Sequence, residues 1–156
     1  MSHYILDKNG EPVVEADTQV WAKWFEESSR VVDAYEKGNV LVSTVFLGMD
    51  HGFYSHDPIL FETMLFSPDF PEVQFRYTTR AKALAKHDKV VAEVKKVSKA
   101  GKPFQIRGIQ DWKEFNEWAS DHLKHHPVVS EMFELIGFKS EMDAFVFKSS
   151  RWCNEI

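Results

Sequence analysis

Val40-Leu41-Val42-Ser43-Thr44-Val45-Phe46-Leu47 is nearly all apolar or β-branched. Such residues fit a pleated strand, and a run with so little polar content reads as a central one. Working outward, Lys37-Gly38-Asn39 is a short turn that joins it to a preceding strand over 30–36. Downstream, 50–58 is a loop carrying His, Gly and Pro, followed by a strand over 59–66. In that strand Leu60, Glu62, Met64 and Phe66 share one face, and Ile59, Phe61, Thr63 and Leu65 the other. Pro68 and Pro71 mark a turn into a shorter strand over 73–77. Neighbouring strands with short links imply antiparallel pairing, with helices against the sheet.

The flanks add helices and a hairpin. Tyr4-Ile5-Leu6 and Pro12-Val13-Val14 surround Asn9-Gly10, a pair suited to the positive φ of tight hairpin turns. Asp17 or Thr18 can cap a helix on which Val20, Trp21, Trp24, Phe25 and Ser28 recur at helical spacing. The face bearing Trp21, Trp24 and Phe25 is expected to be buried. Thr78 or Thr79 caps a long helix to about Val97. Its stripe is Ala81, Leu84, His87 or Asp88, Val91 and Val94, and Gly101 and Pro103 stop it. The expected fold is α+β, an antiparallel sheet of about five to six strands packed by helices.

From Lys102 the texture changes. Phe104-Gln105-Ile106 reads as a short strand. Asp111 caps a helix carrying Trp112, Phe115, Trp118, Ala119, His122 and Leu123, with Glu114 at capping-box spacing. Pro127 can open a further helix with Val128, Val129, Met132, Phe133 and Ile136 as its apolar face, and Ser140 can cap one more turn. The boundary is expected near Gly101: a core over 1–100, and a mainly helical C-terminal extension over 101–156 that packs on it or docks a partner.

The chain has 156 residues, 44% of them hydrophobic and 14% aromatic, enough apolar material for a core. A net charge of −5 argues against general nucleic-acid binding. The single cysteine, Cys153, excludes an internal disulfide and fits a reducing compartment. There is no signal pattern at the start and no run of the ~18 apolar residues that span a bilayer, so a cytoplasmic location and no membrane partner are expected.

The motif formed by Val42 to Asp50-His51 (VSTVFLGxDH), followed by Leu60-Phe61-Glu62-Thr63-Met64, is similar to a pattern in small uncharacterised proteins encoded by phages and prophages. Tyr4-Ile5-Leu6-Asp7, the helix around Trp21, and Tyr77-Thr78-Thr79 also match. The likeness covers roughly residues 3 to 97. It implies a phage or prophage origin, hence the host cytoplasm, and brings no activity, substrate or cofactor.

Chemistry-bearing residues concentrate in the loop after the central strand. Asp50, His51, His56 and Asp57 are imidazoles and carboxylates of the kind that bind divalent metals. His51, Glu62 and His87 are the candidates for acid–base catalysis, because His titrates near neutrality and burial raises a carboxyl pKa. The competing reading makes Asp50 and Asp57 turn residues, pairs Glu62 with Arg76, and hydrogen-bonds His87 in the core. His122, His125 and His126 form a second cluster at a helix end. Lys82, Lys86, Lys89, Lys95, Lys96, Lys99 and Lys102 are a basic segment that reads as a solvated face. Trp112, Trp118, Phe138 and Trp152 are the candidates for protein binding, since exposed aromatics anchor interfaces, with core packing as the alternative.

No phosphate loop, nucleophile elbow or metal signature is present, and no cofactor is expected. The functional expectation is a non-enzymatic module that binds a host or phage protein, with homo-oligomerisation also open. The alternatives are a metal- or small-ligand-binding enzyme built on the 50–57 loop, and a virion structural or assembly protein.

Overall fold

The structure is a computed structural model that describes residues 2–52, 56–101, 104–106, 109 and 111–153. The chain divides into two compact units. The first comprises Met1–Pro68 and Glu72–Val91, the second Asp69–Pro71 and Ala92–Ile156.

The first unit opens with an antiparallel hairpin of β1 (His3–Leu6) and β2 (Pro12–Glu15). Its turn is held by Asp7, whose Oδ1 accepts from the Asn9 and Glu11 amides, and Gly10 takes φ +78°. Helix α1 (Thr18–Glu27) starts where Asp17 accepts from the Gln19 and Val20 amides, a standard side-chain cap. Four antiparallel strands follow in sequential order: β3 (Val31–Lys37), β4 (Val40–Phe46), β5 (Phe61–Phe66) and β6 (Val73–Tyr77). β4 is interior, as its composition demands.

The α+β class and antiparallel pairing follow the sequence reading. The six expected strands are all present, four in this sheet and two in the separate hairpin, which is tied on by a Tyr4 amide to Gly48 carbonyl bond and a His3–Met49 bridge. The expected burial of α1 needs correction. No residue of α1 is buried; Trp21, Trp24 and Phe25 are half-buried. The reason is that this helix leans on a two-stranded hairpin and the rim of the sheet rather than lying across the sheet.

One face of the sheet forms the unit's core. Val42, Phe46, Phe61 and Leu65 are fully or almost fully buried there. Trp24 meets Phe46 edge-on at 5.8 Å. Helix α2 (Arg80–Ser98) covers this face, with Ala83, His87 and Val90 buried. Each fully buried large side chain contributes about 1.5–3 kcal/mol.

The second unit takes in the end of α2, β7 (Phe104–Gln105), α3 (Trp112–His122), β8 (Val128–Ser130), β9 (Leu135–Gly137) and α4 (Glu141–Lys148). Its core gathers Ile106, Phe115, Ala119, Leu123, Ile136, Phe138 and Phe147. Asp111 and Ser140 cap α3 and α4 as their positions suggest. The helix expected over 127–136 is instead a β-hairpin: β8 and β9 pair antiparallel, with β7 on the far side of β9. Val128 and Val129 are β-branched, and Glu134 holds φ +51°, which a helix cannot accommodate. Gly137 completes β9 and allows the close pass of Ala100, whose Cβ would lie 2.8 Å from an added Cβ. The extension is therefore two helices plus a three-stranded sheet, less helical than the sequence suggests.

Candidate functional site

The residues expected to carry chemistry are placed by the loop, the sheet and its covering helix. Asp50 Oδ1 accepts from the Gly52 amide (2.7 Å) and the Ile59 amide (2.9 Å), closing the ends of the loop on each other. The His51 amide donates to the Ile59 carbonyl at 3.1 Å. His56 Nδ1 lies 3.4 Å from Asp57 Oδ1, with the His56 side chain fully exposed. Residues 53–55 of the same loop lie outside the described residues. Among the described residues, no three His, Cys, Asp or Glu side chains are placed to hold a metal ion.

Glu62 and His87 lie on opposite faces of the sheet. Glu62 stands opposite Val45 and Arg76, accepting from Arg76 Nε at 2.8 Å and from Gln74 Nε2 at 2.7 Å. His87 reaches the other face, where its Nδ1 is 2.9 Å from Thr44 Oγ1, itself 2.7 Å from Thr63 Oγ1. Thr44 and Thr63 are cross-strand partners and wholly buried. A register shift between Val31 and Asp33 turns Val32 and Asp33 toward the helix side, and Asp33 Oδ2 comes within 3.9 Å of His87 Nε2. The order Asp–His–Thr invites comparison with a nucleophilic triad. Both threonines are fully buried, and the chain satisfies polar groups in the core. At its far side burial pushes the Tyr77 phenol above its ordinary value, offset only partly by the Thr63 hydroxyl.

The aromatic candidates pack inward. Phe138 is buried, and Trp112, Trp118 and Trp152 pack half-buried around Phe115 with ring centroids 5.8, 6.0 and 5.5 Å from it. In the second histidine cluster, His122 Nδ1 bonds the Trp118 carbonyl at 2.9 Å and its ring stacks on Trp118. His125 Nδ1 donates to Asp143 Oδ2 at 3.0 Å, since an ionised carboxylate only accepts. Asp143 is buried and also accepts from the Lys124 and His125 amides. Burial opposes its ionisation, but the bonds involving Ser140, Lys124 and His125 outweigh this and hold the carboxyl below its ordinary value. In the basic segment, Lys86 sits 4.1 Å over the Phe75 ring, and Lys96 pairs with Glu93.

What remains is the outer face of the four-stranded sheet, on which Glu62 is the candidate that the sequence had named. The register sets it out in three rows. Glu36, Leu41 and Phe66 form one; Ala34, Ser43, Met64 and Gln74 the next; Val31, Val45, Glu62 and Arg76 the third. Phe66 is 45% exposed and Val31 56%, while Leu41, Val45 and Met64 are half-buried. Both helices of the first unit approach the opposite face, through Trp24 on Phe46 and His87 on Thr44. A shallow groove of about 430 Å³ runs along its Leu41–Phe66 end, past Gly38, Asn39 and Pro68, with Glu36 as the charged residue in its lining. The signal for this face was present in the sequence. β4 is apolar at Leu41 and Val45 as well as at Val42 and Phe46, and strands apolar on both sides are ordinarily covered on both.

Compared with known protein families, with curated proteins and with solved structures, the chain matches none of them.

Proposed function

We propose that this chain is a non-enzymatic protein-binding module that docks a partner on the outer face of the β3–β6 sheet. The observation that carries the reading is that β4 and β5 present Leu41, Val45, Met64 and Phe66 on a face that no described element of their own unit covers. Exposed apolar patches of this kind mark interaction sites more often than they stand free. The phage-like motif makes a host or phage protein the partner in keeping with this reading. In that motif Thr44 bonds His87, Phe46 is buried and Asp50 closes the loop, while Val45 and Met64, also in the motif, face outward with Leu41 and Phe66 flanking it.

Oxidative footprinting tests this directly. The purified chain is labelled with hydroxyl radicals in buffer and in extract of the cells that produce it, and modification at Met64 and Phe66 is referred to that at Met142, which is 68% exposed. Selective protection of Met64 and Phe66 in extract is expected. An unchanged ratio would sink the reading.

A further inference from the structure

We infer that the occupant of this face is an amphipathic α-helix of the partner, two to three turns long, with a basic residue at the end that meets Glu36. The inference rests on the docking reading above and adds the shape and charge of what docks.

Size comes first. Four strands about 4.8 Å apart and about six residues long at ~3.3 Å per residue give a face on the order of 400 Å². A stable interface between two globular surfaces usually takes about 800 Å² from each partner. Two globular copies pressed together through this face alone would bury about half of that, whereas a single helix, about 10 Å across, is an occupant of the size the footprint accommodates. The three rows lie two residues apart along each strand, so the apolar positions extend over about 13 Å. A helical stripe at i, i+3, i+4 and i+7 covers about the same length.

The β3 edge argues against the other common mode there, addition of an extended strand. Along edge strand β3 the ladder is broken by the register shift between Val31 and Asp33, and the strand carries Asp33, Glu36 and Lys37. Irregularity and charge are the usual devices that block strand pairing. The layering points the same way: α2 already covers the inner face of this sheet, and a second helix on the apolar part of the outer face, at Leu41, Val45, Met64 and Phe66, completes a three-layer arrangement.

Charge sets the direction. At the β3–β4 turn end, Glu36 is the exposed carboxylate beside Leu41 and Phe66, and it is the charged group in the groove lining. Lys37 points to the other side of the pleat. At the opposite end Arg76 is already held by Glu62. The unbalanced charge on the face is therefore negative and lies at one end, which favours a partner cation there.

The test uses the full chain labelled with ¹⁵N and three synthetic probes. The first is a stapled helical peptide of about 12 residues with Leu at i, i+3, i+4 and i+7 and Lys in the turn that meets Glu36. In the second, Glu replaces that Lys. The third lacks the staple and carries a central Pro, so it cannot be helical. The first probe is expected to shift the amides of Leu41, Ser43, Met64 and Phe66, and to bind about threefold tighter than the second, the scale of one exposed ion pair. Glu36→Lys is expected to reverse that preference. If the Pro probe binds the same amides equally well, the helical occupant is wrong, while the docking reading still stands or falls on Met64 protection. If no probe shifts these amides, or if they shift with protein concentration alone because a second copy binds there, the inference is overturned. An unaltered preference in Glu36→Lys overturns the assigned polarity.

Discussion

Gly48 takes φ +73°, and a Cβ added there would lie 2.8 Å from the Phe25 ring. Its carbonyl accepts from Trp21 Nε1 at 2.9 Å and from the Tyr4 amide. One residue without a side chain thus lets α1 and β1 meet the end of β4. His3 stacks on Trp21 at 4.2 Å, and the Arg30 guanidinium lies 3.9 Å over Phe25, so a column of rings depends on that close approach. Gly48→Ala is expected to destabilise the chain by about 1–3 kcal/mol through the left-handed backbone alone, with the clash adding to it. Denaturant unfolding followed by tryptophan fluorescence measures this; an unchanged midpoint would contradict the geometry. Residue types signalled that Asp50 opens a loop, while Gly48 read as the end of the strand before it. They did not signal that Thr44 would meet His87, because a hydroxyl within an apolar strand reads the same whether or not a partner lies 43 positions away.

At the scale of elements, Asp143 near the start of α4 fastens the segment between α3 and β8. Its carboxylate accepts from the Lys124 and His125 amides and from the His125 ring. Because the folded state holds this carboxyl below its ordinary value of 3.8, the group contributes stability above that value, and the contribution is lost as pH falls through the lower folded one. Asp143→Asn is expected to cost about 1–3 kcal/mol near neutrality, since it leaves buried donors poorly paired. The difference from the parent chain should shrink as pH falls below 3.8, where the unfolded chain takes up the proton first, and level off once the folded carboxyl protonates as well. Unfolding curves across an acid series check both points, and a difference independent of pH would exclude the carboxylate as the cause. The β8–β9 hairpin shows how local sequence misleads. Pro127 followed by spaced apolar residues fits a helix, yet Ile136 pairs with both Phe104 and Val129, and these distant ladder bonds override the 3.6-residue pattern.

For the whole molecule, the two faces of the first unit's sheet differ in what covers them, and that difference carries the function proposed here. A protein that kept Phe66 only for packing would lose stability when it is changed. Phe66 is 45% exposed, so Phe66→Asp is expected to leave the unfolding midpoint within the small range of surface substitutions, about 0.5 kcal/mol, while abolishing the protection of Met64 in extract. Loss of stability comparable to a core substitution, about 3–5 kcal/mol for a large aromatic, would place Phe66 in the fold instead. Chemical groups that look reactive in the chain are dispersed by the same architecture. Glu62 and His87 fall on opposite faces of one sheet, and Trp112, Trp118 and Trp152 converge on Phe115.

Legible in the chain itself were the α+β class, the six strands of the first unit and their antiparallel pairing, the caps at Asp111 and Ser140, and the interior place of β4, with Asp17 one of two caps offered for α1. Each of these depends on interactions within a few residues or on strand composition. Only the tertiary structure decided which polar residues pair, which aromatics are core, and which side of β4 stays open. Those outcomes depend on register, on the shift at Val31/Asp33 and on contacts between residues far apart in the chain. An alternating strand records that it has two faces, but which face a helix covers is set by where the chain goes next.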